Sequence, residues 1–518
     1  MGLGQQFRVR IVQRQIGCIH GNSESNQLVY DHDTVNIQTL SRAGGFSQAD
    51  AASLATFQGA FAMNDTAEPS RSLTRHRWLW IVAVLIAIMM TYCVWRLSMR
   101  SALNTEFEQI RAAGEPVTMQ ELDAWYPAVP AKENAALIIN DAIARMIELT
   151  DDQRRILPWY GRPPSPAFDQ PLDPSVMDTA RQVVADNHIA LDGLHAAIRL
   201  PAARYPLDLS QGIQPMMEHL SSLRRAVNLL CVEAEVNAAR GDGTAACESL
   251  LAMNRVARSL DNEPLEISQM VQIAMDMLAV IMTERAVNQT PLDPRSLARL
   301  IDALRVDDEA VRFRRALIGE RAWMHTEYEL SIPELIELLG INYGLSDIKP
   351  AELYAHRLIG TMDLDQCVYM TMSRQLIKAA DLPLDKRQAE MDRIVKQVGD
   401  QNAFITMIAR GSDSVASTAF YDSCRLTELR VTRAALAVLL YRQSEGHLPT
   451  KLTDVTPKYI DALPGDPFTG AALCYEVRDK GFIVYSVGPD KSDDGGAREN
   501  SAGVQYEPGS DIVFEVRR

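Results

Sequence analysis

The chain has 518 residues, 47 % of them apolar and 23 % charged, with 52 Lys plus Arg against 67 Asp plus Glu and a net charge of −15. These values exclude wholesale disorder and a concentrated basic surface for nucleic acid. Seven cysteines in such a length exclude a disulfide-dense scaffold.

Residues 1–62 mix Gly, Gln, Ser and His without a sustained helical or strand period. They read as a disordered tail, or as a segment upstream of a true start at Met63. Residues 63–77 form a short polar and basic leader. Trp78 to Trp95 then runs WLWIVAVLIAIMMTYCVW with no charge. At about 1.5 Å per residue that run spans roughly 27 Å, close to a hydrocarbon core of about 30 Å. Trp78, Trp80, Tyr92 and Trp95 lie near its ends, where amphipathic rings prefer the interface. The reading is a transmembrane signal anchor, not a cleaved signal peptide, because no A-x-A site follows. Arg71, Arg75 and Arg77 precede it, whereas Glu106 and Glu108 dilute the basic residues after it. The positive-inside rule then puts the N-terminus in the cytoplasm and the rest outside.

Residues 102–424 read as an α-helical domain. Leu220, Leu223, Val227, Leu230 and Ala234 recur at three and four. Arg240-Gly241-Asp242-Gly243 forms a tight turn, Thr244 is the expected cap of the next helix, and Pro264 opens a third. Helix, Gly-Asp turn, helix is the pattern of α-hairpins. Thr118 and Glu121 suggest a capping box. Six prolines between Pro158 and Pro174 break any continuous helix there. The methionines between 253 and 282 fall on apolar faces and read as core. His188 and His195 are seven apart, with no carboxylate or cysteine completing a ligand set. Cys231, Cys247, Cys367, Cys424 and Cys474 read as free thiols. No complete catalytic motif is present, so no catalytic residue is assigned.

Residues 425–518 read as a small α+β module. A helix over Leu426–Arg442 ends at Gly446-His447-Leu448-Pro449, and a short turn of helix follows at Leu452–Val455. Strands are expected over Leu473–Val477, Gly481–Val487 and Ile512–Val516. The whole fold class is therefore mainly α: one transmembrane helix, an exported α-hairpin domain and a C-terminal module with a three-stranded antiparallel sheet.

Between the last two strands, Asp490, Asp493 and Asp494 fall within five residues. Their mutual repulsion is removed if a hard cation takes several oxygens at once. Asp490, Ser492, Asp494 and Gly495 fit the start of an EF-hand loop, but its closing Glu is replaced by Ser501. Asp511, before the last strand, is an alternative closing carboxylate. A solvated acidic turn is the other reading.

Gly465-Asp466-Pro467-Phe468 and Tyr485-Ser486-Val487-Gly488-Pro489-Asp490, in this order of helix and strands, resemble the C-terminal part of type II secretion major pseudopilins. The resemblance covers residues 425–518. It implies a long helix packed on a small antiparallel sheet, with calcium held in the loop before the last strand. By position, Asp490, Asp493, Asp494 and Asp511 would be the metal ligands. The basic leader, cleavage glycine and F-T-L-x-E of a pseudopilin are absent, and the apolar helix lies far upstream. The overall layout looks like large membrane-anchored bacterial proteins that carry this module.

The expected function is that of a non-enzymatic envelope protein in the bacterial inner membrane, single-pass, with its domains outside the cytoplasm. Its partners would be the membrane and envelope or secretion-system proteins, with no nucleic acid. The alternatives are a hydrolase whose site assembles from scattered residues of the helical domain, and a signalling or sugar-binding body on which the C-terminal module is only a structural cap, which exposed aromatic residues around Trp125, Trp159 and Tyr160 would favour.

Overall fold

The computed structural model describes residues 77–160, 166–209, 214–306, 309–342, 350–401, 409, 413–497 and 510–518. The readings of residues 1–62, of the leader up to His76 and of Ser501 lie outside the described residues. The protein is mostly helical, with one small antiparallel sheet. The chain divides into two compact units, one ending at Ser98 and one running from Met99 to Arg518.

The first unit holds the start of α1 (Arg77–Ala112). Its side chains stand in the open, with Trp80 74 % and Leu97 68 % exposed. Thr91, the polar interruption, donates its hydroxyl to Ala87 O at 2.8 Å, so even this group is satisfied within the helix. Among the described residues, α1 is the one helix long and apolar enough to cross a membrane.

In the second unit, the end of α1 is followed by α2 (Met119–Trp125), α3 (Ala135–Ala144), α4 (Asp151–Ile156), α5 (Pro174–Asp186) and α6 (His188–Ala196). Then come α7 (Gln214–Ala239), α8 (Gly243–Arg258), α9 (Glu266–Gln289), α10 (Pro294–Ala303) and α11 (Glu309–Glu329). The rest are α12 (Ile332–Asn342), α13 (Pro350–Ile359), α14 (Thr361–Ala379), α15 (Leu384–Gly399) and α16 (Asp413–Glu445). Thr118 Oγ1 caps the Glu121 N–H at 3.1 Å, and the Glu121 carboxylate returns to the Val117 N–H at 2.7 Å.

Packing of α7 against α8 depends on the Gly-Asp turn. Gly241 has φ +77°, which a side chain would strain. The cap is Asp242, whose Oδ1 accepts from Ala245 N at 2.9 Å, and not Thr244. Thr244 instead donates to Asp293 Oδ2 at 3.2 Å, because the close approach of the next loop offers it a carboxylate. The third helix begins two residues after Pro264, with Leu265 as its extended entry residue. Met253, Met275, Met277 and Met282 are buried, as core residues should be.

The proline-rich segment is held by an arginine from α9. Arg285 donates to Pro166 O, Ala167 O and Gln170 O at 2.9, 3.0 and 3.0 Å, while Glu235 of α7 neutralises it at 2.7 Å. Both charged side chains are essentially inaccessible. A chain without helical hydrogen bonds thereby finds a donor for three of its carbonyls.

The C-terminal sheet has the order β1 (Cys474–Arg478), β2 (Gly481–Ser486) and β3 (Ile512–Val516), with both pairs antiparallel. Asp479 and Lys480 make the two-residue turn between Arg478 and Gly481. Phe482 pairs with Val516 and Ser486 with Ile512. Phe482, Val484, Phe514 and Val516 are buried and share one hydrophobic core with α16 and with helices back to α2. Each such side chain contributes about 1.5–3 kcal/mol on burial. The helix expected from Leu426 begins at Asp413, so residue 425 lies inside α16. Its early turns carry Ser414 and Thr418, polar residues that obscure the apolar period and that hydrogen-bond to Glu266 of α9.

Candidate functional site

The Gly465–Phe468 motif folds around the Asp466 carboxylate. Asp466 Oδ1 accepts from Phe468 N at 2.8 Å, and Oδ2 accepts from Ser486 Oγ at 2.9 Å and Val487 N at 3.3 Å. Ser486 Oγ in turn accepts from Gly488 N at 3.1 Å. Gly488 has φ +71°, and a Cβ there would stand 2.4 Å from Ser510 O, so only glycine fits. Asp466 is 3 % exposed and thus ties the loop before β1 to the end of β2. The two motifs that stand apart in sequence are one hydrogen-bonded hub.

Beyond that hub lies the acidic loop. Asp490 Oδ1 accepts from Ser492 N at 3.0 Å, a local Asx turn. Asp493 Oδ1 accepts from Tyr485 OH at 3.1 Å and Gly495 N at 2.9 Å. Asp511 Oδ2 accepts from Gly496 N at 2.7 Å. Asp490, Asp493 and Asp494 are exposed, whereas Asp511 is 5 % exposed and its Oδ1 has no hydrogen-bond partner. Burial raises the Asp511 pKa above the usual carboxylate range, and the charges of Asp494 and Asp493 raise it further. The fold therefore brings Asp493, Asp494 and Asp511 within electrostatic reach of one another and engages Asp490 in its own turn. Among the described residues, no three His, Cys, Asp or Glu side chains stand as an assembled metal-binding group.

The histidine pair separates. His188 Nδ1 meets Ala185 O at 2.9 Å, while His195 Nε2 meets Glu233 at 2.9 Å across α6 and α7. Burial opposes protonation of His195, but Glu233 outweighs it and the pKa rises. Glu233 also accepts from Ser249 Oγ at 2.8 Å. The carboxylate stands between imidazole and hydroxyl, so no histidine activates this serine. Cys231, Cys247 and Cys424 are buried free thiols, and Cys367 and Cys474 are half-buried and free. Trp125, Trp159 and Tyr160 are half-buried against the core and do not form an exposed aromatic surface.

The most charged interior feature escaped the sequence reading. Arg425 of α16 donates to Asp422 Oδ1 at 2.7 Å and to Asp276 Oδ2 at 3.0 Å. Arg387 of α15 donates to Asp422 Oδ2 at 2.9 Å, and its guanidinium lies 4.9 Å over the Phe313 ring. Burial alone would raise the pKa of Asp422, but Arg425 and Arg387 together hold it low. Asp276 has the single Arg425 contact, and burial wins there, raising its pKa. Asp276 lies between Met275 and Met277 on a helix that also carries Glu266, Glu284 and Arg285, so its charge does not stand out in the sequence.

The chain matches no family model, no curated protein and no solved structure.

Proposed function

We propose that this is a single-pass bacterial inner-membrane protein whose helical body and C-terminal module lie outside the cytoplasm. The exposed apolar length of α1 carries this reading. No residue of its most apolar window is buried, and an aqueous surface does not tolerate so large a contiguous apolar face. The body acts by non-covalent contacts in envelope assembly, in the manner of the pseudopilins that its last residues resemble. In support, α16 packs on β2 and β3, the arrangement that the resemblance implies. The acidic loop takes calcium, with Asp511 Oδ1 as the buried oxygen that lacks a donor and Asp493 and Asp494 as the flanking carboxylates.

Membrane fractionation with alkaline extraction tests the anchor. Retention in the pellet is expected, with release after Ile86→Lys/Ile88→Lys. Protease added to spheroplasts should digest the body, and protection of the body would overturn the topology. Cross-linking in intact cells that captures no envelope protein would overturn the assembly role.

A further inference from the structure

The two outer edges of the C-terminal sheet differ. Along β3, Glu515 N donates to Glu284 Oε1 at 2.7 Å, Asn288 Nδ2 donates to Glu515 O at 2.8 Å and Arg517 N donates to Asn288 Oδ1 at 2.8 Å. Side chains of α9 therefore close that edge. The same bonds fix the parity of the whole sheet. Glu515 and Arg517 turn their peptide groups outward, so Ile512, Phe514 and Val516 turn theirs to Ser486, Val484 and Phe482 of β2. Tyr485, Ile483 and Gly481 then face Cys474, Glu476 and Arg478 of β1. The N–H and C=O groups of Tyr475 and Val477 are left pointing to the outer edge of β1. Among the described residues, no hydrogen bond reaches them.

This open edge also carries an exposed apolar side chain and a charge pattern. Val477 pairs with buried Phe482 yet is 52 % exposed. Glu476 and Arg478 flank it on the opposite face of the sheet, paired at 2.9 Å, and both are exposed. An unpaired edge is a template for another strand. The residues around Val477 select which strand fits. When β1 meets a second β1 antiparallel, with Val477 opposite Val477 of the partner subunit, Glu476 falls opposite the partner's Arg478. Arg478 likewise falls opposite the partner's Glu476, so the edge is complementary in charge to a copy of itself. Parity agrees with this register. The two valines exchange both N–H···O bonds, and the charged residues form the non-hydrogen-bonded pairs, in which side chains lie closer.

We infer that β1 is a docking edge for a second copy of this chain, pairing antiparallel with β1 of that copy in the register centred on Val477. Mutual backbone bonds, alternating charges and a covered valine pair make a small, reversible contact and not an obligate interface. The inference rests on the edges of the sheet. It does not depend on the proposed envelope role or on calcium, and it stands or falls separately from them.

The test is sedimentation equilibrium of the full chain in density-matched detergent micelles over a range of concentrations. The wild type should associate reversibly to a dimer. Val477→Pro removes an N–H that faces outward, so the β1–β2 ladder stays and association should weaken about ten-fold. Glu476→Arg and Arg478→Glu each set like charges opposite one another, and each should self-associate about ten-fold more weakly than the wild type. Mixed together, these two variants restore opposite charges at both pairs, and the mixture should form a heterodimer near wild-type affinity. Arg478 also donates to Gly495 O at 2.8 Å, so the melting temperature of each variant is measured alongside. A variant that has lost its fold is not rescued by mixing. A wild type that stays monomeric would overturn the self-pairing and leave the edge to an extended segment of another protein. Association that survives Val477→Pro, or charge variants that melt as the wild type does but are not rescued by mixing, would overturn it as well.

Discussion

Asp422 in α16 and Asp511 before β3 are both buried carboxylates, yet their surroundings drive them in opposite directions. Asp422 lies between two guanidinium groups and titrates low. Asp511 is buried beside two further carboxylates, has an oxygen without a partner and titrates high. The helical interior thus neutralises its charges within the fold, whereas the C-terminal loop leaves negative charge for something else to neutralise. Burial by itself predicts neither outcome. The sign is set by which side chains the tertiary structure brings alongside.

Breaking the interior seam should have the largest effect. Asp422→Ala leaves Arg425 and Arg387 buried without their shared partner, and a loss of about 3–5 kcal/mol is expected. Denaturant unfolding of the protein in micelles measures it, and a loss under about 1 kcal/mol would remove the contrast. Arg285→Met should cost a similar amount, with faster proteolysis in the Pro158–Pro174 segment as its specific sign, because three carbonyls lose their donor. Unchanged cleavage there would show that the prolines alone hold the segment.

Asp466→Ala should rank next, at about 2–3 kcal/mol, since one buried carboxylate accepts three hydrogen bonds from two loops. Asp466→Asn should recover part of that. Asp511→Asn sharpens the comparison through its sign. Without calcium it should leave stability unchanged or raise it by about 1 kcal/mol or less, because it removes a charge that the site disfavours and keeps the acceptor for Gly496. With calcium, the wild type should gain thermal stability and the variant should not. A wild-type melting temperature indifferent to calcium and chelator would sink the calcium reading. Asp490→Ala should shift stability least, by about 0.5 kcal/mol or less, as it removes only a local turn bond.

The pH dependence separates the same two groups. The folded pKa of Asp422 is below its unfolded value of about 3.9, so its contribution is present above that pH and is lost as pH falls through the folded value. The folded pKa of Asp511 is above the unfolded value, so the folded state takes its proton first. Acidification through that raised pKa therefore stabilises until the unfolded group titrates. The difference between wild type and Asp511→Asn, followed from pH 7 to about pH 4, should narrow as Asp511 protonates. A constant difference would mean that Asp511 does not titrate in this range.

Much of the architecture was legible in the chain because it rests on local patterns. An uncharged apolar run of helical length needs no tertiary partner to be recognised in α1. The turn chemistry of Arg240–Gly243 separates α7 from α8, and alternation places the three strands within a residue or so of their observed ends. The Gly465–Phe468 and Ser486–Asp490 motifs were visible as motifs, but their joint purpose was not, because the Ser486 hydroxyl reaches Asp466 only after the strands have paired. The start of α16 was hidden because its polar residues Ser414 and Thr418 are held by Glu266, a partner far away in sequence. For the same reason the seam of Arg425, Asp422, Asp276 and Arg387 has no signature in the sequence. Local propensity and periodicity decide which segments become helix, strand or turn. Charge pairing inside a protein depends on a few ångströms between distant residues, and only the folded chain sets those distances.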